Sequence, residues 1–192
     1  MDIKEIFDVS IARCEKITND LLASSSTAKK HVNKKNIVDV NQIIQLAIKE
    51  ANPTGAKNIE FNIKYLPKDY SIIKMDVTEI DLSRIISNCF TNSIEACADI
   101  NSIPNLSIEL NTSRGFLKIQ INDNGPGFQK NVISNLNTFD KNSDVISTKS
   151  YGHGIGLSSA ISSLSAIGGR LCASNIVSGR GARIEIQIPI VG

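Results

Sequence analysis

The sequence has no long apolar run, no closely spaced cysteine pair and no strong excess of charge of either sign. No stretch approaches the roughly 20 apolar residues needed to cross a bilayer, and the opening residues MDIKEIFDVS carry acids where a secretion signal would carry lysines. The formal net charge is only +2 over 192 residues. These absences argue against a membrane span or a secreted protein, and we expect a cytoplasmic location.

The cysteines are too scattered for a redox or zinc motif. No C-x-x-C pair occurs among the four, which are Cys14, Cys89, Cys97 and Cys172. Two of them fall inside apolar helical patterns. We therefore interpret the cysteines as reduced thiols of the core.

A small basic cluster near the N-terminus has no aromatic residues interleaved with it. Its members are Lys29, Lys30, Lys34 and Lys35, around His31. A surface that tracks nucleic-acid phosphates usually extends further than this. We interpret the cluster as part of a solvated linker and expect no nucleic-acid partner.

The chain divides into three predicted parts. In residues 1–24, apolar side chains recur every seven residues from Phe7 onward, which predicts one helix that needs a helical partner. Residues 25–36 are small, polar and basic, as is typical of a linker. Residues 37–192 are predicted to form one domain.

The third part begins with helical periodicity. A helix is predicted from about Val40, and two strands follow around a turn at Pro67–Asp69. A long amphipathic helix is then predicted over residues 77–100. The residues available for its core stripe are Ile80, Ile85, Ile86, Cys89 and Phe90.

Farther along, the apolar residues alternate with polar ones. The pattern covers Leu106–Leu110, Leu117–Ile121 and Ile184–Ile190. Strict alternation predicts a sheet with one buried and one wet face, which helices must cover on one side. The repeated strand–helix units of a doubly wound parallel sheet are missing. The predicted fold class is therefore α/β, a two-layer sandwich.

The stretch YGHGIGLSS, residues 151–159, places three glycines before a helical pattern. Its spacing differs from the dinucleotide fingerprint, and it lacks the lysine of a Walker A loop. Glycines at a helix start nevertheless let backbone N–H groups approach an anion. A plain turn or close helix packing explains them equally well.

The stretch NDNGPGF, residues 122–128, follows a predicted strand. Asp123 would sit at the strand end, where its carboxylate could accept a hydrogen bond from the exocyclic amine of adenine. Gly125 and Gly127 would keep the pocket floor free of side chains. A simple strand-exit turn is the alternative.

The stretch NCFTNSIEA lies in the long predicted helix and places three polar side chains on one face. They are Asn88, Asn92 and Glu95. Amide and carboxylate oxygens suit Mg²⁺, which is often held by one or two protein groups together with phosphates. Capping of nearby backbone or contact with water is the alternative.

Taken together, these stretches resemble the ATP-binding domain of sensor histidine kinases, within the family that includes gyrase, Hsp90 and MutL ATPases. NCFTNSIEA is similar to the N box, DNGPGF to the G1 box, and STKSYGHGIGLSS to the G2 box with the end of the ATP lid. Phe139 and Asp140 look like the F box, and GGRLCASNIVSGRGARIEIQIP resembles the closing hairpin. Over residues 37–190 the resemblance implies a Bergerat fold, a mixed and mostly antiparallel sheet backed by helices. The N-terminal stretch ARCEKITNDLLASSS is similar to the end of the second helix of the dimerisation hairpin that precedes this domain in such kinases.

The resemblance implies ATP and Mg²⁺ as ligands. Asn92 would bind the metal with Asn88 as its companion, Asp123 would bind the adenine amine, and Lys149 would reach a phosphate. His153 would be a phosphate-side donor at most and not the phosphoacceptor. The full implied ATP-binding set is Asn88, Asn92, Glu95, Asp123, Gly125, Gly127, Phe128, Thr148, Lys149, Gly152, His153, Gly154, Ile155, Gly156 and Leu157.

The residue at position 88 bears on the choice between kinase and hydrolase. ATPases of the family carry a water-activating glutamate there, whereas this chain has Asn88. The resemblance therefore implies transfer of the γ-phosphoryl group to a histidine. That histidine would lie on a dimerisation hairpin that is absent from this chain. We therefore expect the chain to be part of a longer kinase, which forms a homodimer and serves a response regulator. The longer kinase can be anchored in a membrane.

Some residues depart from the family pattern. Glu95 replaces a frequent lysine, Ala182 replaces a frequent threonine near the base, and the lid is short. Two alternatives remain open at this point. One is a serine kinase like the anti-sigma-factor kinases, and the other is a nucleotide-binding pseudo-kinase that acts as an interaction module.

Overall fold

The structure is a computed structural model, and it describes residues 36–53, 55, 58–98, 100, 102–137, 155–177 and 179–191. The predicted N-terminal helix, nearly all of the predicted linker and the F-box pair Phe139 and Asp140 lie outside this part of the chain. All described residues belong to one compact unit, Lys34–Gly192.

The described part of the chain contains four α-helices and seven strands. The helices are α1 (Val40–Ala51), α2 (Glu79–Ala98), α3 (Lys130–Asn137) and α4 (Ile155–Ala166), with a short 3₁₀ helix at Lys68–Tyr70. The strands are β1 (Asn36–Asp39), β2 (Glu60–Lys64), β3 (Ile72–Met75), β4 (Asn105–Ser113), β5 (Phe116–Asp123), β6 (Arg170–Asn175) and β7 (Ala182–Pro189).

The main sheet has five strands in the order β2-β4-β5-β7-β6. Only the β2–β4 pair is parallel, and the other pairs are antiparallel. The alternating residues predicted for the inner face of β4, β5 and β7 are buried, from Leu106 to Ile188. Ile190 follows β7 and is only partly buried. The predicted fold class, a mixed and mostly antiparallel sheet backed by helices, is confirmed.

The strands predicted around Pro67–Asp69 are present, but they do not pair with each other. β2 joins the main sheet beside β4, whereas β3 pairs with β1 in a separate two-stranded ribbon. The segment between them buries Leu66 and forms the 3₁₀ helix. The sequence prediction had not included β1, which begins at Asn36.

Helix α2 lies at the centre of the helical layer and packs against α1 and α4. Thr78 starts it, because its hydroxyl accepts a hydrogen bond from the backbone N–H of Asp81 at 3.1 Å. Most of the predicted core stripe is buried, but Ile80 is 66% exposed. The stripe begins instead at Leu82, and at 3.6 residues per turn a residue two positions earlier faces nearly the opposite way.

No helix among the described residues is both long enough and apolar enough to span a bilayer.

Candidate functional site

Asp123 is the last residue of β5, and its carboxylate is buried and fixed in orientation. The side chain is 5% exposed. Oδ1 accepts hydrogen bonds from the backbone N–H groups of Gly125 at 2.9 Å and Ala182 at 3.0 Å. No described residue donates a hydrogen bond to Oδ2. One carboxylate oxygen therefore holds the loop, and the other can accept a hydrogen bond from a ligand.

The close approach of β7 to Asp123 depends on Gly181. Gly181 has φ +129°, and a Cβ at this position would overlap the carbonyl oxygen of Asp123. Only glycine lets the two backbones come this close. The sequence reasoning missed Gly181, although a glycine directly before a predicted strand is the signal that could have indicated it.

Ala182 contributes a backbone donor to the site. The N–H of Ala182 reaches Asp123 directly, and the side chain is buried. This hydrogen bond does not depend on which side chain stands at position 182.

The two predicted pocket glycines are both confined by their neighbours. A Cβ on Gly125 would lie 3.0 Å from Asp123 Oδ1 and 3.6 Å from Cys97 Sγ. Gly127 has φ +83°, and its Cβ would lie 2.9 Å from Oδ1 of Asn175. Larger residues would therefore displace either the carboxylate or the Asn175 amide.

Asn175, at the end of β6, holds the far end of this loop. Its Oδ1 accepts a hydrogen bond from the backbone N–H of Phe128 at 2.7 Å, and its Nδ2 donates to the carbonyl of Phe128 at 2.9 Å. The sequence reasoning missed Asn175, and a polar residue near a strand end gives no signal that would have singled it out.

Asn124 fixes the underside of the loop. Its Oδ1 accepts hydrogen bonds from the backbone N–H of Asn105 at 2.9 Å and from the thiol of Cys97 at 3.1 Å. Its Nδ2 donates to the carbonyl of Ile103 at 3.0 Å. The loop is thereby tied to the end of α2 and to the start of β4.

Cys89 and Cys97 are free and buried, and their surroundings favour the neutral thiol. Burial, and after it the negative charge of Asp123, raises the pKa of Cys97. Burial alone raises the pKa of Cys89 to about 12. Cys172 is partly buried, these three cysteines are free, and Cys14 lies outside the described residues.

Asn88 and Asn92 lie one turn apart on α2. Asn88 is 6% exposed, Asn92 is half-buried, and neither side-chain amide bonds to a described residue. The amide of Asn88 is therefore available to hydrogen-bond with a bound group. Glu95 is exposed on the same helix.

The start of α4 lies against Asn88. A Cβ on Gly156 would be 3.8 Å from Cγ of Asn88. The first N–H groups of a helix have no partner within the helix, and the helix dipole is positive there. Leu157 is buried in the core, so only its backbone can face a ligand. Ile155 is the first residue of α4. The other predicted residues of this segment lie outside the described part of the chain, namely Thr148, Lys149, Gly152, His153 and Gly154.

Helix α2 contacts two chemically different groups of residues. Near Cys97 it contacts the loop beside Asp123, and near Asn88 it contacts the start of α4. Asn88 and Cys97 are nine residues apart on α2, and a helical rise of about 1.5 Å per residue places them about 13 Å from each other along the helix axis. The arrangement suits an elongated ligand that has a hydrogen-bond donor at one end and negative charge at the other.

The donor set for a metal is limited. No group of three His, Cys, Asp or Glu residues within the described part could hold an ion. Oxygen atoms of Asn88 and Asn92 remain as ligands, and Mg²⁺ is commonly bound by one or two protein groups that are completed by water and phosphates. The residues present fit an ion that arrives with a phosphorylated ligand.

Sequence comparison links the chain to proteins of known family. Residues 77–192 match the family described as histidine kinase-, DNA gyrase B- and HSP90-like ATPase. The chain is 32% identical to the sensor protein FixL of Bradyrhizobium diazoefficiens over 111 residues. This matched segment is 57% of the present chain. The matched segment is 21% of the length of FixL, so the chain spans about a fifth of that relative.

Solved structures share the fold. The mycobacterial sensor histidine kinase MprB superposes with a TM-score of 0.63 at 18% identity, over 81% of this chain and 98% of that one. The Acinetobacter baumannii histidine kinase AdeS gives a TM-score of 0.66 at 14% identity, over 100% of this chain and 87% of that one. At these identities the similarity shows a common fold.

Proposed function

Because the chain belongs to the histidine kinase-, DNA gyrase B- and HSP90-like ATPases, we propose that it is the ATP-binding catalytic domain of a sensor histidine kinase. The observation that carries the proposal is the orientation of Asp123. Its Oδ1 is occupied by two backbone N–H groups, while its Oδ2 accepts nothing from the described residues.

Asp123 selects adenine. A carboxylate only accepts hydrogen bonds, so Oδ2 bonds to the exocyclic amine of adenine and opposes the carbonyl that guanine presents at the same position. Gly125 and Gly127 line the base pocket, and Phe128 borders it. The ribose and phosphates then extend along α2 toward Asn88.

The polar residues of α2 and the start of α4 hold the triphosphate. Asn92 binds Mg²⁺ with Asn88 as its companion, and when bound the ion neutralises negative charge on the phosphates. Glu95 lies at the same helix face. Backbone N–H groups at Gly152, Gly154 and Gly156 complete the phosphate site together with those of Ile155 and Leu157, and Thr148, Lys149 and His153 contribute side chains.

The reaction is phosphoryl transfer and not hydrolysis. Position 88 carries an amide, which cannot take a proton from water, so the site orients the γ-phosphate for an external nucleophile. A neutral imidazole nitrogen attacks phosphorus, the bond between the γ-phosphorus and the β–γ bridging oxygen breaks, and ADP leaves with that oxygen. The imidazole loses its N–H proton to solvent.

The acceptor histidine and the partners lie outside this chain. The acceptor is on the dimerisation domain of the same protein, which forms a homodimer and passes the phosphoryl group to a response regulator. Residues 1–24 are the end of that hairpin, residues 25–36 are the linker, and residues 37–192 are the catalytic domain. Reduced thiols agree with a cytoplasmic location. No finding favours the serine kinase or the pseudo-kinase.

The test is transfer of label to a separately supplied hairpin. The chain is incubated with γ-labelled ATP and Mg²⁺, together with either a kinase dimerisation hairpin that carries its histidine or the same hairpin with that histidine changed to alanine. We expect acid-labile label on the first hairpin and none on the second. Acid-stable label on serine, or absence of ATP binding, would contradict the proposal.

A further inference from the structure

The turn end of the β6–β7 hairpin contacts the Asp123 loop at two points. Asn175 and Ala182 are direct partners across the hairpin. The backbone N–H of Ala182 bonds to Asp123 at the start of the loop, and the side chain of Asn175 bonds to Phe128 at its end. One pair of hairpin residues thus holds both ends of the segment that spans residues 123–128.

The side-chain amide of Asn175 pairs with the backbone of Phe128 as a peptide group of a neighbouring β-strand would. It accepts from the N–H and donates to the carbonyl of the same residue, Phe128, at 2.7 and 2.9 Å. Within the described part of the chain, β6 is an edge strand of the sheet and pairs with a strand only on its β7 side. Gly127 leaves the space into which this amide fits.

We propose that Asn175 is a positioning residue for the nucleotide base. It sets the distance between the Phe128 end of the loop and the carboxylate of Asp123, and therefore sets where the base lies relative to Oδ2. The inference rests on the proposed function, because it needs adenine to be bound at Asp123. Without the Asn175 amide the loop keeps its Asp123 end and loses its other anchor.

The chain contains a matched control at Asn41. The amide of Asn41, on α1, donates to the carbonyl of Leu66 at 2.9 Å and accepts from the N–H of Leu66 at 3.2 Å. Asn41→Ala therefore removes the same two kinds of hydrogen bond from the same residue type. Asn41 has no part in the proposed nucleotide site.

The experiment measures binding of ATP and of inosine triphosphate, whose base has a carbonyl in place of the amine. The proteins compared are the wild type, Asn175→Ala, Asn175→Asp and Asn41→Ala. We expect Asn175→Ala to weaken ATP binding about tenfold and to reduce the preference for ATP over inosine triphosphate. Asn41→Ala should lose thermal stability but keep the wild-type ATP affinity and the wild-type preference for ATP.

Asn175→Asp keeps the acceptor for the Phe128 N–H but loses the donor to the carbonyl. It should fold, bind ATP more weakly than the wild type and show a reduced preference. Wild-type values for the affinity and the preference in either Asn175 variant would overturn the inference. Absence of ATP binding by the wild type would instead overturn the proposed function.

Discussion

At the scale of single residues, Asp123 combines two tasks in one carboxylate. Oδ1 organises the loop through Gly125 and Ala182, whereas Oδ2 is left for a ligand. The sequence motif identified Asp123 and the two glycines that follow. It did not identify Gly181 or Asn175, because these residues meet the loop only after the hairpin has folded back onto it.

Asp123→Asn tests the role of the carboxylate in base recognition. Asparagine can still accept through Oδ1, but its NH₂ group would oppose the adenine amine as donor against donor. We expect ATP binding to weaken by about 2 kcal/mol, roughly 30-fold in Kd, with the fold retained. Calorimetric titration gives the affinity, and Asp69→Asn, at an exposed position, is the control. Unchanged ATP affinity would show that the base lies elsewhere.

Gly181→Ala tests the close approach between β7 and β5. The added Cβ would overlap the carbonyl of Asp123, so we expect a loss of about 3 kcal/mol or more in the free energy of unfolding. Gly115→Ala is the control, since Gly115 also has positive φ but nothing within 4 Å of its Cβ. That variant should lose only about 1–2 kcal/mol from backbone strain. Equal losses in denaturant unfolding would contradict the overlap.

At the scale of elements, the side chain of Asn137 links helix α3 to the edge strand β6. Asn137 donates to the carbonyl of Ala173 at 2.9 Å and accepts from its N–H at 2.7 Å. The sequence analysis did not predict α3, which has only eight residues. A helix this short is marginal by itself and is stabilised by tertiary contacts.

Asn137→Ala should weaken the attachment of α3 to β6. The N–H of Ala173 loses its acceptor, at a cost of about 1 kcal/mol, so its amide hydrogen should exchange about fivefold faster with solvent. Hydrogen exchange measured by NMR or mass spectrometry tests this, with the amides of β4 as internal reference. If exchange at Ala173 is unchanged, α3 is held by its buried apolar residues, Val132 and Leu136, alone.

At the scale of the whole molecule, ligand binding should stabilise the domain through α2, which joins both ends of the site. ATP at a hundred times its Kd adds about 2.7 kcal/mol to the free energy of unfolding. We expect a larger rise in melting temperature with Mg²⁺ than with a chelator, because the ion offsets phosphate charge beside the oxygens of Asn88 and Asn92.

Asn92→Ala should remove most of the Mg²⁺-dependent part of that rise and leave the rise seen with chelator nearly intact. The measurement is thermal unfolding with ATP, in Mg²⁺ and in chelator. Asn111→Ala, at an exposed position on β4, is the control and should behave like the wild type. A full Mg²⁺ effect in the Asn92 variant would assign the metal to other ligands.

Periodicity made much of the fold predictable. Alternating residues specified β4, β5 and β7, and helical spacing specified α1 and most of α2, because a sheet or a helix buries residues at its own repeat. Pairing was not predictable to the same degree. β2 and β3 have similar alternating patterns, yet β2 pairs with β4 and β3 pairs with β1.

The sequence by itself determined the local chemistry of the site: an aspartate before two glycines, two asparagines one turn apart, and a glycine-rich helix start. These are properties of neighbouring residues, and a linear pattern can record them. Tertiary structure alone decided that Gly181, Ala182 and Asn175 hold the Asp123 loop. Their partners lie about 50–60 residues away along the chain, and such contacts arise only when distant segments pack together and their hydrogen-bonding groups must be paired.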